Sequence, residues 1–193
     1  METIYWFVLN ANDLPPSETY LPVQRYNEDT FGCPQMVKYN QHRAYIESPV
    51  SFELRNNELY VEKEMPRMFN IMHTGHKVMQ MPYCFLTKNK NIKLFLQNIS
   101  TLEMTEGIIP IGKYPRIINY TFKGSGKVNQ GDPIIQVLFN EPVKLVHIVP
   151  NQSILNFVQS TYQISHYKNN ITKIFNRTSI AYPRKELDKC QRR

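Results

Sequence analysis

The sequence predicts an all-β fold of the jelly-roll or β-sandwich type, with a C-terminal α-helix. Short apolar segments recur about every ten residues with Gly, Pro or Asn between them, which is typical of sandwiches and barrels. Tyr (12) and Phe (10) are abundant, and both favour strands. Pro (13) outnumbers Gly (7), which divides the chain into short elements. A hydrophobic content of 41% is sufficient for a folded core.

The strand predictions follow the apolar segments along the chain. The alternation within residues 44–54 breaks at Ser48-Pro49, which predicts two short strands or a bulged edge strand. Asn56-Asn57 predicts the turn of a hairpin, and residues 106–112 are predicted to be a loop. The predicted strands are residues 5–9, two within 44–54, then 59–61, 78–86, 92–96, 116–122, 134–139 and 143–149.

The stretch VNQGDPIIQVLF, residues 128–139, places a proline at the start of a strand and a glutamine within it. Pro133 has no N–H for a strand ladder, so it is tolerated at the first position after the Gly-Asp turn. Gln136 is predicted to lie on the same face as Ile134 and Leu138. An amide on a buried face needs partners, so Gln136 either bonds neighbouring backbone or contacts a ligand.

One helix is predicted at residues 153–163, with Ser153 as its N-cap. Its apolar face would pack on the sheet or on a neighbouring subunit. That face consists of Ile154, Phe157, Val158 and Tyr162. The predicted organisation is therefore a β-sandwich or jelly-roll domain at 1–150, followed by the helix and a basic tail at 151–193.

The tail contributes much of the net charge of +7. Residues 167–193 contain eight Lys and Arg residues against Glu186 and Asp188. Such a tail contacts nucleic acid or another acidic surface, or it is a solvated and partly disordered end. The sequence leaves both interpretations open.

Targeting and cysteine patterns exclude several classes of protein. The first residues, METIYWFVLN, lack the basic start and long apolar region of a secretion signal. No stretch approaches the roughly 20 apolar residues of a membrane span. The three cysteines are odd in number and widely separated, which argues against a disulfide framework or a zinc knuckle. We therefore expect no membrane association and no cofactor.

Part of the chain resembles the trimeric dUTPase and dCTP-deaminase superfamily. GDPIIQVLF resembles its Gly-Asp-X-Ile-X-Gln strand, and GIIPIGKYPRIINY, residues 107–120, resembles its Gly-Ile-Ile-Asp-Pro-Gly hairpin. The resemblance implies that this hairpin would bind deoxyribose and pyrimidine. Pro110 stands where the superfamily has the Asp that serves the catalytic water, and this departure counts against hydrolysis.

Residues 74–151 are similar to an uncharacterised β-rich family of bacterial and phage genomes. The similarity lies in TGHKVMQMPYCFLTKN, in Asn119-Tyr120-Thr121-Phe122, and in Gln130-Gly131-Asp132-Pro133. It implies a fold and a genomic setting rather than an activity. With a composition rich in Asn, Lys and Ile, it predicts a phage or viral protein located in the host cytoplasm or the virion.

The histidines and Cys84 are the residues that metal or nucleophile chemistry would use. His73 and His76 have HxxH spacing, and His147 lies on a predicted strand, so a cupin-like metal site would draw on these three. The pattern lacks the His-X-His of such sites, and solvated loop histidines are the alternative. Cys84 lies in the apolar run MPYCFL and is predicted to be a buried, unreactive thiol.

The sequence favours a non-enzymatic function. We expect a phage-encoded structural or protein-binding β-sandwich protein that acts with a protein partner or by self-assembly. A virion component is one such protein. The alternative is a small-molecule enzyme of dUTPase-like or cupin-like, metal-dependent type. Its pocket would use Gln136, Arg116 and Asn119 as ligand contacts, with the Arg116 fork holding an anion; otherwise Arg116 pairs with a carboxylate.

Overall fold

The computed structural model describes residues 1–8, 23–25, 41–48, 50–61, 69–71, 77–104, 106–113, 117–165 and 182–192. They form an all-β, sandwich-like fold with an α-helix towards the C-terminus, as predicted. The helices are α1 (Gln152–Ser165) and a 3-10 helix (Glu186–Lys189). The strands are β1 (Glu2–Val8), β2 (Val23–Arg25), β3 (Arg43–Glu47), β4 (Phe52–Arg55), β5 (Glu58–Val61), β6 (Phe69–Ile71), β7 (Lys77–Thr87), β8 (Leu94–Asn98), β9 (Glu103–Met104), β10 (Gly107–Ile109), β11 (Ile117–Lys123), β12 (Gly126–Val128), β13 (Pro133–Phe139), β14 (Val143–Val149) and β15 (Gln191–Arg192).

The strands are arranged in three sheets. The seven-stranded sheet has the order β15-β14-β1-β7-β11-β9, with β6 also paired to β7. The five-stranded sheet has the order β10-β8-β13-β3-β2, and the small sheet has the order β12-β4-β5. Strand β1 is parallel to β14 and antiparallel to β7. Predicted strands that are adjacent in sequence therefore often belong to different sheets.

The seven-stranded sheet is buried on both faces at β1. On β1, Ile4 and Trp6 belong to the main core, which also contains the inward residues of the five-stranded sheet. Tyr5 and Phe7 point the other way and pack in a second apolar cluster with α1. This explains why β1 is almost continuously apolar rather than alternating.

Helix α1 covers the second face, and its cap differs from the prediction. Ile154, Phe157 and Val158 are all buried in the second cluster, so the prediction that the helix packs on the sheet is confirmed. The prediction of Ser153 as the cap is wrong. The Oδ1 atom of Asn151 accepts a hydrogen bond from the backbone N–H of Ile154 at 3.0 Å, and the helix begins at Gln152. The side chain of Tyr162 lies outside the described residues.

The C-terminal segment 182–192 is folded against the seven-stranded sheet and is not a solvated end. Leu187 and Cys190 are buried in the second cluster, and β15 pairs with β14. The Tyr182 hydroxyl accepts a hydrogen bond from the backbone N–H of Thr87 (2.9 Å) and donates one to the carbonyl of Ile111 (3.2 Å). Residues 166–181 and 193 of the predicted tail lie outside the described part of the chain.

Local turn signals were accurate. Asn56 and Asn57 both have positive φ, 49° and 65°, as a tight hairpin between β4 and β5 requires. The break at Ser48-Pro49 separates β3 from β4, and the two strands belong to different sheets. Pro133 is the first residue of β13. The loop predicted at 106–112 is wrong in part, because Gly107–Ile109 forms β10.

Among the described residues, no helix is long and apolar enough to cross a membrane.

Replacing Gly112 with Ala is expected to destabilise the protein by about 1–3 kcal/mol, because the added methyl group would overpack the site. A Cβ atom there would lie 2.7 Å from the backbone oxygen of Lys90. Urea unfolding measures the change in the free energy of unfolding. Gly107→Ala is the control, since no atom lies within 4 Å of its Cβ position. Equal effects of the two changes would contradict this packing.

Replacing Tyr182 with Phe is expected to reduce the free energy of unfolding by about 1–3 kcal/mol, since two backbone groups lose their partner. Tyr60→Phe is the matched control, because Tyr60 is 47% exposed and its hydroxyl bonds Glu58 at the surface. That variant should change stability by less than about 0.5 kcal/mol. A Tyr182→Phe variant as stable as the control would show that the segment is held by other contacts.

Candidate functional site

Two of the three residues predicted to contact a ligand lie on different sheets. Gln136 lies on β13 of the five-stranded sheet, whereas Asn119 lies on β11 of the seven-stranded sheet, opposite Gln80 of β7. Ile135 and Val137 flank Gln136 on β13, and both point into the main core. Gln136 therefore points away from the seven-stranded sheet. Arg116 and the side chain of Asn119 lie outside the described residues.

Gln136 is hydrogen-bonded on the outer face of its sheet. Its Nε2 atom donates to Oε1 of Gln97 on β8 at 2.7 Å. Although Gln136 faces outward, it is only 7% exposed. The prediction that it shares a face with Ile134 is wrong, because the register shifts between Pro133 and Ile135 and turns Ile134 into the core. Leu138 does share its face.

Of the three histidines predicted for a metal site, only His147 lies within the described residues. The imidazole of His147, on β14, stacks on the indole of Trp6, with ring centroids 4.1 Å apart and planes inclined by 12°. The stack places His147 at the border of the main core. His73 and His76 lie outside the described residues. Elsewhere in the described ranges, no three His, Cys, Asp or Glu side chains are grouped as a metal site requires.

Cys84 is buried, as predicted. It is 0% exposed on β7, and burial raises the pKa of its thiol. A raised pKa disfavours the thiolate, which is the nucleophilic form. Cys190 is also buried as a free thiol, and its Sγ lies 3.5 Å from the carbonyl of Glu186. Both cysteines therefore act as apolar packing residues of the second cluster.

The outer face of the five-stranded sheet carries a row of apolar side chains next to the glutamine pair. Cross-strand pairing aligns Ile108 of β10 with Phe95 of β8, and Phe95 with Leu138 of β13. Ile108 is 62% exposed, and Phe95 and Leu138 are partly buried. The neighbouring row contains Gln97, Gln136 and Tyr45. We call these six residues the outer-face surface.

Sequence patterns did not predict the apolar members of this surface. Phe95 and Leu138 belong to the runs IKLFL and IIQVLF, in which inward and outward residues are equally apolar. Ile108 was placed in a loop. One signal was available: Gln136 is a polar residue within an apolar run, and it marks the alternate positions that face outward.

The segment that resembles the dUTPase hairpin does not form a hairpin here. Residues Gly107–Ile109 pair with β8, whereas Ile117–Lys123 pairs with β7 in the other sheet. Comparison of the chain with protein-family models, curated proteins and solved structures gave no significant match in any of the three. Both sequence resemblances therefore stay predictions.

A double-mutant cycle tests whether the Gln97–Gln136 pair is structural. We expect Gln97→Ala and Gln136→Ala to show a coupling energy of about 0.5–1.5 kcal/mol in urea unfolding, because the bond is partly buried. The control pair is Gln152 and Asn156, whose side chains bond at 2.7 Å on the exposed surface of α1. Its coupling should be about 0.2–0.5 kcal/mol. A coupling near zero for the first pair would show that this hydrogen bond does not stabilise the fold.

Proposed function

We propose that this protein is a non-enzymatic structural protein that assembles with copies of itself through the outer-face surface and the adjacent edge of the five-stranded sheet. The observation that carries the proposal is Ile108, a large apolar residue that is 62% exposed on an edge strand. The sequence resemblance to a phage family and the Asn-, Lys- and Ile-rich composition support a phage-encoded protein, with a virion as its place of assembly.

The edge strand β10 favours a second copy as the occupant. Within the described residues it pairs with β8 alone, which makes it the edge strand of its sheet, and edge strands are where a further strand can add. A second copy's β10, lying antiparallel, would extend the sheet and bring the two Ile108 side chains together. Such a contact is self-complementary, as the two-fold interface of a dimer must be.

The short length of β10 limits how much area it can bury by itself. A three-residue strand is too small to hold a dimer, which usually buries about 1,200–2,000 Å² in total. Phe95, which lies beside Ile108 on the outer face, must therefore contribute area.

The net charge of +7 on each copy opposes association. Since salt screens this repulsion, self-association is expected to strengthen as ionic strength rises. The enzyme alternative requires Gln136 to face a pocket shared with Asn119, and the two residues lie on different sheets. Assembly through the outer face does not require these two residues to share a pocket.

Light scattering coupled to size-exclusion chromatography tests the proposal. The wild-type chain should elute with at least twice the monomer mass of 22.8 kDa. Ile108→Lys should return it to the monomer, because two buried lysines would face each other. Tyr60→Lys, at an exposed apolar position on β5, is the control and should leave the oligomer intact. A wild-type monomer at high protein and salt concentration would refute the proposal.

A thermal-shift screen addresses the enzyme alternative directly. We expect no increase in Tm with pyrimidine nucleotides or with divalent metals. Stabilisation by a pyrimidine nucleotide that is lost in Gln136→Ala would instead establish a dUTPase-like binding site. Stabilisation by a metal that depends on His147 would point to the cupin-like alternative.

A further inference from the structure

Three segments that are distant in sequence meet at one end of the seven-stranded sheet. The Arg184 guanidinium donates from Nη2 to the carbonyl of Gly112 at 2.7 Å and from Nε to the carbonyl of Lys88 at 3.1 Å. The Gly112 N–H bonds the carbonyl of Ile92 at 3.1 Å. The C-terminal segment 182–192 is thereby joined to residues 88–93 and 110–113.

This convergence concentrates positive charge that is dispersed in the sequence. We call the resulting surface the basic end. Its carboxylates on the same three segments are Glu186, which pairs with Lys189 at 2.8 Å, and Asp188, which pairs with Lys88. Its basic residues are Lys88, Lys90, Lys93, Lys113, Arg184, Lys185, Lys189 and Arg192.

Five of these cations have no carboxylate within 4.0 Å among the described residues, and all five are exposed. They are Lys90, Lys93, Lys113, Lys185 and Arg192. Lys88 differs from these five, because its hydrogen bond to Asp188 raises the pKa of its ammonium group. A polyanion would supply the other five with anionic partners.

The chemistry of the basic end favours a nucleic acid over a protein. Protein interfaces have an apolar centre, but none of the large exposed hydrophobic residues lies on these three segments. The exposed groups between the cations are amides and backbone, such as Asn91. Cations with polar neighbours are what contacts to phosphates require.

We infer that the basic end binds the phosphate backbone of a nucleic acid, independently of base sequence. Lys90, Lys93, Lys113, Lys185 and Arg192 contact phosphates, and Arg184 is a positioning residue that holds the three segments together. With five phosphate contacts to duplex DNA, the logarithm of the affinity falls with the logarithm of salt with a slope of about −4.5. Different base sequences bind alike, because phosphates carry no sequence information.

Fluorescence anisotropy with labelled duplex and single-stranded DNA of mixed sequence tests the inference in the full chain. We expect Lys90→Glu/Lys185→Glu to bind at least tenfold more weakly and to lower the salt slope by about two. The matched control is Lys123→Glu/Lys127→Glu, which has the same net charge. Lys123 follows Phe122, which pairs with Lys77 at the start of β7, about 35 Å along the strand from Lys88. Lys127 lies on β12 of the small sheet.

The control should keep its affinity within about threefold, since away from the basic end it loses only screened long-range charge and the exposed Lys123–Glu103 ion pair. If both double variants weakened DNA binding equally, the loss would be due to net charge alone, and the inference would be overturned. Absence of DNA binding by the wild type would also overturn it. Tighter binding of poly-glutamate than of DNA would assign the surface to an acidic protein and would also overturn it. Thermal unfolding of each variant verifies that it is folded.

The outcome is separable from that of the self-assembly proposal. Ile108→Lys leaves the basic end unchanged, and as a monomer it should still bind DNA with the wild-type salt slope. Lys90 and Lys185 lie outside β10, so their double variant should keep the oligomeric mass of the wild type.

Discussion

Strand β1 requires apolar partners on both of its faces, and the rest of the structure is arranged to provide them. Ile4 and Trp6 are buried against the five-stranded sheet, while Tyr5 and Phe7 are buried beneath α1 and the C-terminal segment. Each such side chain contributes about 1.5–3 kcal/mol when it leaves water. Two separate layers must therefore dock on one sheet, and the order of the strands follows from that need.

The two proposed surfaces follow from how these layers are placed. The inner face of the five-stranded sheet is used to cover β1, which leaves Ile108 exposed at the sheet's edge. The C-terminal segment is needed to cover the opposite face, and Tyr182 and Arg184 fix it to the loops after β7 and β10. Its basic residues are thereby placed beside Lys90 and Lys113. Packing of the core thus positions both an apolar edge and a concentrated positive charge.

Features that depend on neighbouring residues were predictable. Pro133 starts β13 because it lacks an N–H, and Asn56-Asn57 turns the chain because both residues tolerate positive φ. Features that depend on distant partners were not. Ile134 enters the core through a register shift against β3, and β10 exists because β8 offers it a ladder. The cap of α1 was misplaced by two residues, since Asn and Ser have similar cap preferences.

The sequence by itself determined the all-β class, the helix near the C-terminus and the burial of Cys84, because apolar periodicity and turn residues act over a few positions. Only the tertiary structure decided which strands share a sheet, that Gln136 bonds Gln97, and that the C-terminal segment lies beside residues 88–93. The physical reason is that strand pairing and layer packing are long-range choices among nearly equivalent apolar segments. Their outcome depends on which arrangement covers both faces of β1, and no local pattern encodes it.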